Sequence, residues 1–202
     1  MKKNPSIAVI ELNSVARGIL AGDTMLKKSP VAMVRSGSVH NGKYLILIGG
    51  TVASVDEAYR AGVLAGGEST TDSIILPDVH HSVFEALFGK RKPCSDESLA
   101  IVETLSVPSV IQAAEAAVKG ADVRIIEIRM ADDLGGKGIV ILSGRLEEVE
   151  AAVKVCREVL AHKDALNDIT VIPRPDTETV QLINTSTHFR DSSPVMVRDG
   201  EK

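Results

Sequence analysis

The chain is written twice. Ala8-Val-Ile-Glu11-Leu-Asn-Ser14-Val15 lies over Ala100-Ile-Val-Glu103-Thr-Leu-Ser106-Val107 at a spacing of 92 residues. That spacing holds through Lys27 over Lys119 and Val31 over Val123, becomes 94 at Gly42-Lys43 over Gly136-Lys137, and is 96 at Leu76-Pro77 over Ile172-Pro173. The drift falls in loops, where insertions disturb no packing. A repeat of this length means one folding unit duplicated in tandem, so whatever one half folds into the other must match.

Each half carries the same order of elements. Residues 6–12 form an apolar run of strand length. Val15, Ile19 and Leu26 then recur at helical spacing over 15–28, with Ser14 placed as N-cap. A strand at 31–36, the loop Gly37-Ser38-Val39-His40-Asn41-Gly42 and a strand at 43–50 follow. A helical stripe through Val52, Val55, Tyr59, Val63 and Gly66, a strand at 71–76 and a short helix at 79–88 complete the unit. The second half repeats this with strands near 98–104, 123–130, 137–143 and 168–172, and a helix with Leu146, Val149, Ala152, Val153, Cys156 and Leu160 on one stripe. The order β-α-β-β-α-β predicts an α/β (α+β) fold of two tandem ferredoxin-like modules, a fold that hosts many functions and decides none alone. The modules are expected at 1–90 and 97–184, joined by the polar stretch 89–97. The tail 185–202 is polar and weakly periodic, and is expected to be mobile.

Composition narrows the function. The 202 residues are 44% apolar but only 2% aromatic, with no Trp, so Val, Ile, Leu and Ala must fill the cores. With 23 basic against 27 acidic residues, the chain lacks the basic face of a nucleic-acid binder and the stacking aromatics of a single-strand binder. Cys94 and Cys156 fit no metal-binding spacing and are expected to be reduced thiols in a cytoplasmic protein. The opening MKKNPSIAVIEL is not a signal peptide, and no apolar run is long enough for a membrane span.

Motifs for catalysis are scarce. Gly37 to Lys43 matches the first seven places of a phosphate-binding loop. The eighth place, which needs Ser or Thr for magnesium, is Tyr44, and the loop opens a strand rather than a helix. A tight turn between strands explains it. His81 and Glu85 have the spacing of metal ligands on one helix face, but the second half has nothing equivalent, and a solvated helix start is the simpler reading. Glu11 and Glu103 recur at equivalent strand ends, a pattern that serves packing or an interface more often than chemistry. No acid–base pair, activated nucleophile or cofactor fingerprint emerges, and the chain is expected not to be an enzyme.

Several motifs agree in order with one family. They are the Glu-ended first strand, the helix closing in Asp23-Thr-Met-Leu-Lys27, the Gly-Lys loop, the Gly50-Thr-Val…Val-Asp-Glu-Ala helix start and Ile172-Pro-Arg-Pro175, most of them present twice. On these the chain resembles the bacterial microcompartment shell proteins over about residues 6–183. The unpermuted element order is similar to the propanediol-utilisation type of tandem shell protein. The resemblance implies a homotrimer mimicking a hexamer, a structural tile packing against other shell proteins, with a central pore for small metabolites and no role for nucleic acid or membrane.

Further implications are residue by residue. The loops Gly37, Ser38, Val39, His40, Asn41, Gly42 and Ala131, Asp132, Asp133, Leu134, Gly135, Gly136 would line the pore. The acidic pair Asp132 and Asp133 would disfavour anions. Lys27 and Lys119, which also suit the negative end of a helix dipole, would make tile-edge contacts together with Arg174, whose counterpart in the first half is Asp78. His40 stands where some relatives of this type carry a cysteine holding an iron–sulfur cluster on the three-fold axis. Three such histidines would either bind a metal, making the chain an electron conduit, or form a polar ring that tunes solute passage. A small-ligand sensor or enzyme on the same fold is the remaining rival.

Overall fold

The computed structural model describes residues 5–95 and 97–197; the outermost residues expected in the first module (1–4) and in the tail (198–202) lie outside them. Both halves fold alike. The first comprises β1 (Ser6–Leu12), α1 (Val15–Lys28), β2 (Met33–Val39), β3 (Lys43–Gly50), α2 (Val52–Gly66), β4 (Thr70–Leu76) and α3 (His81–Leu87). The second comprises β5 (Ser98–Thr104), α4 (Val107–Gly120), β6 (Arg124–Met130), β7 (Gly138–Gly144), α5 (Leu146–Ala161), β8 (Leu166–Ile172) and α6 (Thr177–Thr185). Two four-stranded antiparallel sheets result, ordered β2-β3-β1-β4 and β6-β7-β5-β8, the ferredoxin-like arrangement that the element order predicts. Among the described residues, no helix is long and apolar enough to cross a membrane.

Alternation on β1 explains the layering. Ala8, Ile10 and Leu12 pack with Ile46, Ile48, Val55, Ala58, Ala21 and Met25 beneath α1 and α2. Ile7 and Val9 face the other way, and successive strand residues must point to opposite faces. Their face is covered by α3 of the same half and by α4 of the second half. One continuous core therefore runs from Val9, Leu47 and Ile74 through Val83 and Leu87 to Val107, Val110, Ile111 and Ala114.

The apolar stripe that marks α1 in the sequence does not face its own sheet. The helix runs over the residues expected, and Ser14 caps it by accepting the Arg17 N–H at 3.3 Å. Its buried residues, however, are Gly18, Ala21, Gly22 and Met25, while Val15 is 39% exposed, Ile19 58% and Leu20 45%. Small residues face the sheet because the approach is close: a Cβ on Gly18 would lie 2.3 Å from the Tyr44 ring. The bulky apolar side of α1 is left outside.

Two other expectations change. β2 continues through Val39, so Gly37, Ser38 and Val39 are strand residues and only His40–Gly42 form the turn. The polar stretch after 184 is tied to the body as far as His188. Thr187 donates to Glu127 Oε2 at 2.8 Å, Arg129 donates to the Thr187 carbonyl at 3.0 Å, and His188 Nδ1 lies 3.1 Å from the Arg129 guanidinium. Polar side chains on β6, invisible as partners in a linear sequence, hold it there.

Candidate module seam and central loops

The seam between the halves is built around the first turn of α4. Glu11 is fully buried at the end of β1. Its Oε2 accepts the Val107 N–H at 2.9 Å, and its Oε1 pairs with Lys43 Nζ at 2.7 Å and Thr71 Oγ1 at 3.1 Å. Lys43 also donates to the Leu105 carbonyl at 3.3 Å and the Gly136 carbonyl at 3.1 Å, both in the second half. Gly136 suits this place, since its φ of +84° favours glycine and a Cβ there would crowd the Lys43 chain at 3.2 Å. The lysine that sequence alone put in a phosphate-loop pattern is a tie between modules.

Asp72, opposite Glu11 on β4, makes the second tie. It accepts hydrogen bonds from Ser106 Oγ, from Ser109 Oγ at 2.6 Å and from Lys163 Nζ at 2.6 Å, all in the second half. Two carboxylates from one module thus cap the helix N-terminus of the other, where orphan N–H groups and the helix dipole favour negative charge. Burial pushes the Asp72 carboxyl up, but the hydrogen bonds from Lys163, Ser106 and Ser109 outweigh it and leave the group below its ordinary range. A carboxyl depressed by folding stabilises above its unfolded pKa of about 3.9, and that contribution is lost as pH falls through the lower folded value. Urea midpoints of the wild type should therefore fall more steeply below about pH 4 than those of Asp72→Asn. Parallel curves would show that Asp72 is not a tie.

At the far end of α4, Glu115 accepts the His80 N–H at 2.9 Å and pairs with Lys119 at 2.5 Å, while Lys119 donates to the Asp78 carbonyl at 2.7 Å. Lys119, expected at a tile edge, is thus engaged inside the chain. Lys27, at the matching place on α1, is exposed and pairs with Asp23 at 2.6 Å; Arg174 is exposed on the turn after β8. These lysines lie at the C-terminal ends of helices of 14 residues, about 20 Å from the N-terminal turns at 1.5 Å per residue.

The two predicted pore loops meet at the N-terminal end. The His40 N–H donates to Asp132 Oδ1 at 3.3 Å, and the Asp133 N–H donates to His40 Nδ1 at 2.9 Å. His188 Nδ1 approaches Asp133 Oδ2 at 3.3 Å from the other side. Ser38, His40, Asn41, Gly42, Asp132, Asp133 and Gly135 are exposed there, and Gly37, Val39 and Leu134 are half-buried. Ala131 and Gly136 differ from expectation. Both are buried, Ala131 because its N–H closes the turn onto the Lys137 carbonyl at 2.8 Å, and they offer no surface to a channel.

The loop does not suit a metal on His40. With Nδ1 accepting an N–H, a neutral imidazole carries its proton on Nε2, so neither nitrogen has a lone pair left for a cation. Nor is there a thiolate for a cluster: Cys94 and Cys156 are buried, under α6 and in α5, and burial pushes the Cys156 thiol up to about 12. His81 is exposed, its Nε2 3.3 Å from Glu85 Oε1, which Lys90 shares. Glu85 therefore already has cationic company and is not a waiting ligand.

Comparison with known proteins agrees with this architecture. The BMC domain family model matches residues 6–79 and again 98–175. The chain is 38% identical over 170 residues to the bacterial microcompartment shell protein PduT of Citrobacter freundii, covering 84% of this chain and 92% of that protein. A crystal structure of a microcompartments protein from Desulfitobacterium hafniense DCB superposes with a TM-score of 0.74 at 38% identity, covering 86% of this chain and 96% of that one. A fused permuted hexameric shell protein of the RMM microcompartment shares the fold, with a TM-score of 0.60 at 24% identity over 79% of this chain and 85% of that one. With two full matches in tandem and a relative this similar along most of its length, the chain belongs to the BMC domain family.

Proposed function

We propose that this chain is a structural protein of a bacterial microcompartment shell, a tile made of three chains closed into a six-module ring with a central opening. One observation carries the reading: the seam inside the chain has two unused halves, one at each end of the molecule. Val107 and Ile111, fully buried in the seam, correspond to Val15 and Ile19, whose exposed side is the outward face of α1. On the partner side, Val9 is buried beneath α4, while its counterpart Ile101 is only half-covered. β6 buries Ile125 and Ile128 in the core that includes Val83 and Leu87 of α3, whereas β2 leaves Val34, Arg35 and Ser36 exposed.

A contact of this kind is head-to-tail, and repeating it through one rotation closes a ring. Since like modules join at like angles, six modules make the disc that the family resemblance implies, and three chains supply them. The loops at His40 and Asp132 then gather at the centre, while Lys119 beside Asp78, and Lys27 beside Arg174 of the next chain, lie at the rim. At the rim they can also meet other tiles. The opening admits small metabolites, and Asp132 and Asp133 weigh it against anions. The chain works inside the cell, in the shell, and carries no reaction of its own.

Electron microscopy of the purified chain tests this. Six-lobed discs with a central opening, packing side by side into sheets, are expected. Isolated two-lobed particles at micromolar concentration would overturn it.

A further inference from the structure

We propose that the seam between neighbouring chains is locked by an ion pair that the seam inside the chain lacks, Arg17 of one chain against Asp168 of the next. The inference rests on the ring reading above and names what recognises the second copy. Asp168 is the counterpart of Asp72 by register. Glu11 pairs with Asp72 across β1 and β4, Glu103 pairs with Asp168 across β5 and β8, and the same bulge follows in each. The local setting is also the same: Asp72 Oδ1 accepts the Ser73 N–H at 2.7 Å and Asp168 Oδ1 the Ile169 N–H at 2.8 Å. Glu103 likewise pairs with Lys137 as Glu11 does with Lys43.

Of the groups that hold Asp72, Ser106 has a copy on α1, Ser14, but Ser109 and Lys163 do not. Ser109, which donates to Asp72, corresponds to Arg17. Lys163 comes from the turn between α5 and β8. The matching stretch between α2 and β4 is Gly67-Glu68-Ser69, which contains no lysine. Copying the inner seam without its lysine would leave a carboxylate beside Glu68 with no cation. The outer seam instead has a guanidinium where the inner one has a hydroxyl, so the positive charge has moved from the turn to the first turn of the helix. In the single chain Arg17 and Asp168 are both exposed, and neither has an oppositely charged partner among the described residues. Because one sits on the first helix and the other on the last strand, the pair joins only the head of one chain to the tail of another. It thereby excludes like-to-like joining of modules.

Sedimentation velocity on the full chain across a dilution series tests the pair, with melting curves to confirm that each variant is folded. Arg17→Asp and Asp168→Arg should each raise the concentration at which rings dissociate by more than about tenfold. The combined swap, Arg17→Asp with Asp168→Arg, should bring it back to within about threefold of wild type. The milder Arg17→Gln and Asp168→Asn should shift it in the same direction as the reversals and remove most of its salt dependence. A wild type that forms rings while the single reversals dissociate like it, or a swap that fails to recover, overturns the ion pair and leaves the ring intact. A wild type that forms no ring at any concentration removes the ring reading itself.

Discussion

Ile111→Ala should lower the unfolding free energy of the chain by about 2–5 kcal/mol, the usual cost of truncating a large buried aliphatic side chain. Ile19→Ala, 92 residues earlier at the matching place, should change the stability of the dissociated chain by less than about 0.5 kcal/mol and weaken association instead. The difference lies wholly in what covers each residue. Ile111 is fully buried, in a cluster that includes Val9, Leu47 and Leu87 of the first module, while Ile19 is 58% exposed on the same face of an equivalent helix. Urea unfolding at low protein concentration, where rings are dissociated, reads the first quantity, and sedimentation reads the second. Equal destabilisation of the dissociated chain by both variants would mean that the outward face of α1 already packs inside one molecule.

Glu11→Leu has the other large expected effect, a loss of about 3–5 kcal/mol. Glu11 is fully buried, and Lys43 is only 14% exposed. Removing the carboxylate leaves the Lys43 ammonium with two carbonyls and no counter-ion, and leaves the Val107 N–H without its acceptor. Replacing both, as Glu11→Leu with Lys43→Met, should cost less than the sum of the single changes, because each single change strands a buried charge and the double change strands none. Glu103→Leu, at the equivalent but more open position, should cost the dissociated chain under about 1 kcal/mol. Thermal and urea unfolding of the four variants measure this. A Glu11→Leu protein as stable as wild type would remove the pair from the seam.

These contrasts mark where the sequence is legible. Strand and helix order, and the duplication, follow from local periodicity, and β3, β5 and α1 start and stop where the pattern says. Periodicity cannot say which of two apolar sides of a helix faces its own sheet. In α1 the bulky residues Val15 and Ile19 suggest the core face, yet Gly18, Ala21 and Gly22 take it, because a close sheet contact needs small side chains and the larger ones serve a second surface.

The polar ties were half-visible. Glu11 and Glu103 stand out by repetition, and Asp72 with Asp168 repeats just as plainly. Lys43 reaches Glu11 from the neighbouring strand of the same module, but Ser106 and Lys163, 34 and 91 residues from Asp72, meet it only once the modules dock. The folded-back stretch at Thr187 and His188 is likewise set by Glu127 and Arg129 on another strand, so composition alone misjudges it. The two loops that follow β2 and β6 were legible as a pair because duplication makes them equivalent. That they touch, through His40 and Asp133, is a fact of docking.

A ring forms only if the unused halves of the seam find each other. Native mass spectrometry of the purified chain at micromolar concentration asks this directly. A dominant species of three chains, reduced to one chain by Ile19→Arg, is the predicted result. A wild-type protein that stays a single chain, or an Ile19→Arg protein that keeps the same mass as wild type, would contradict it.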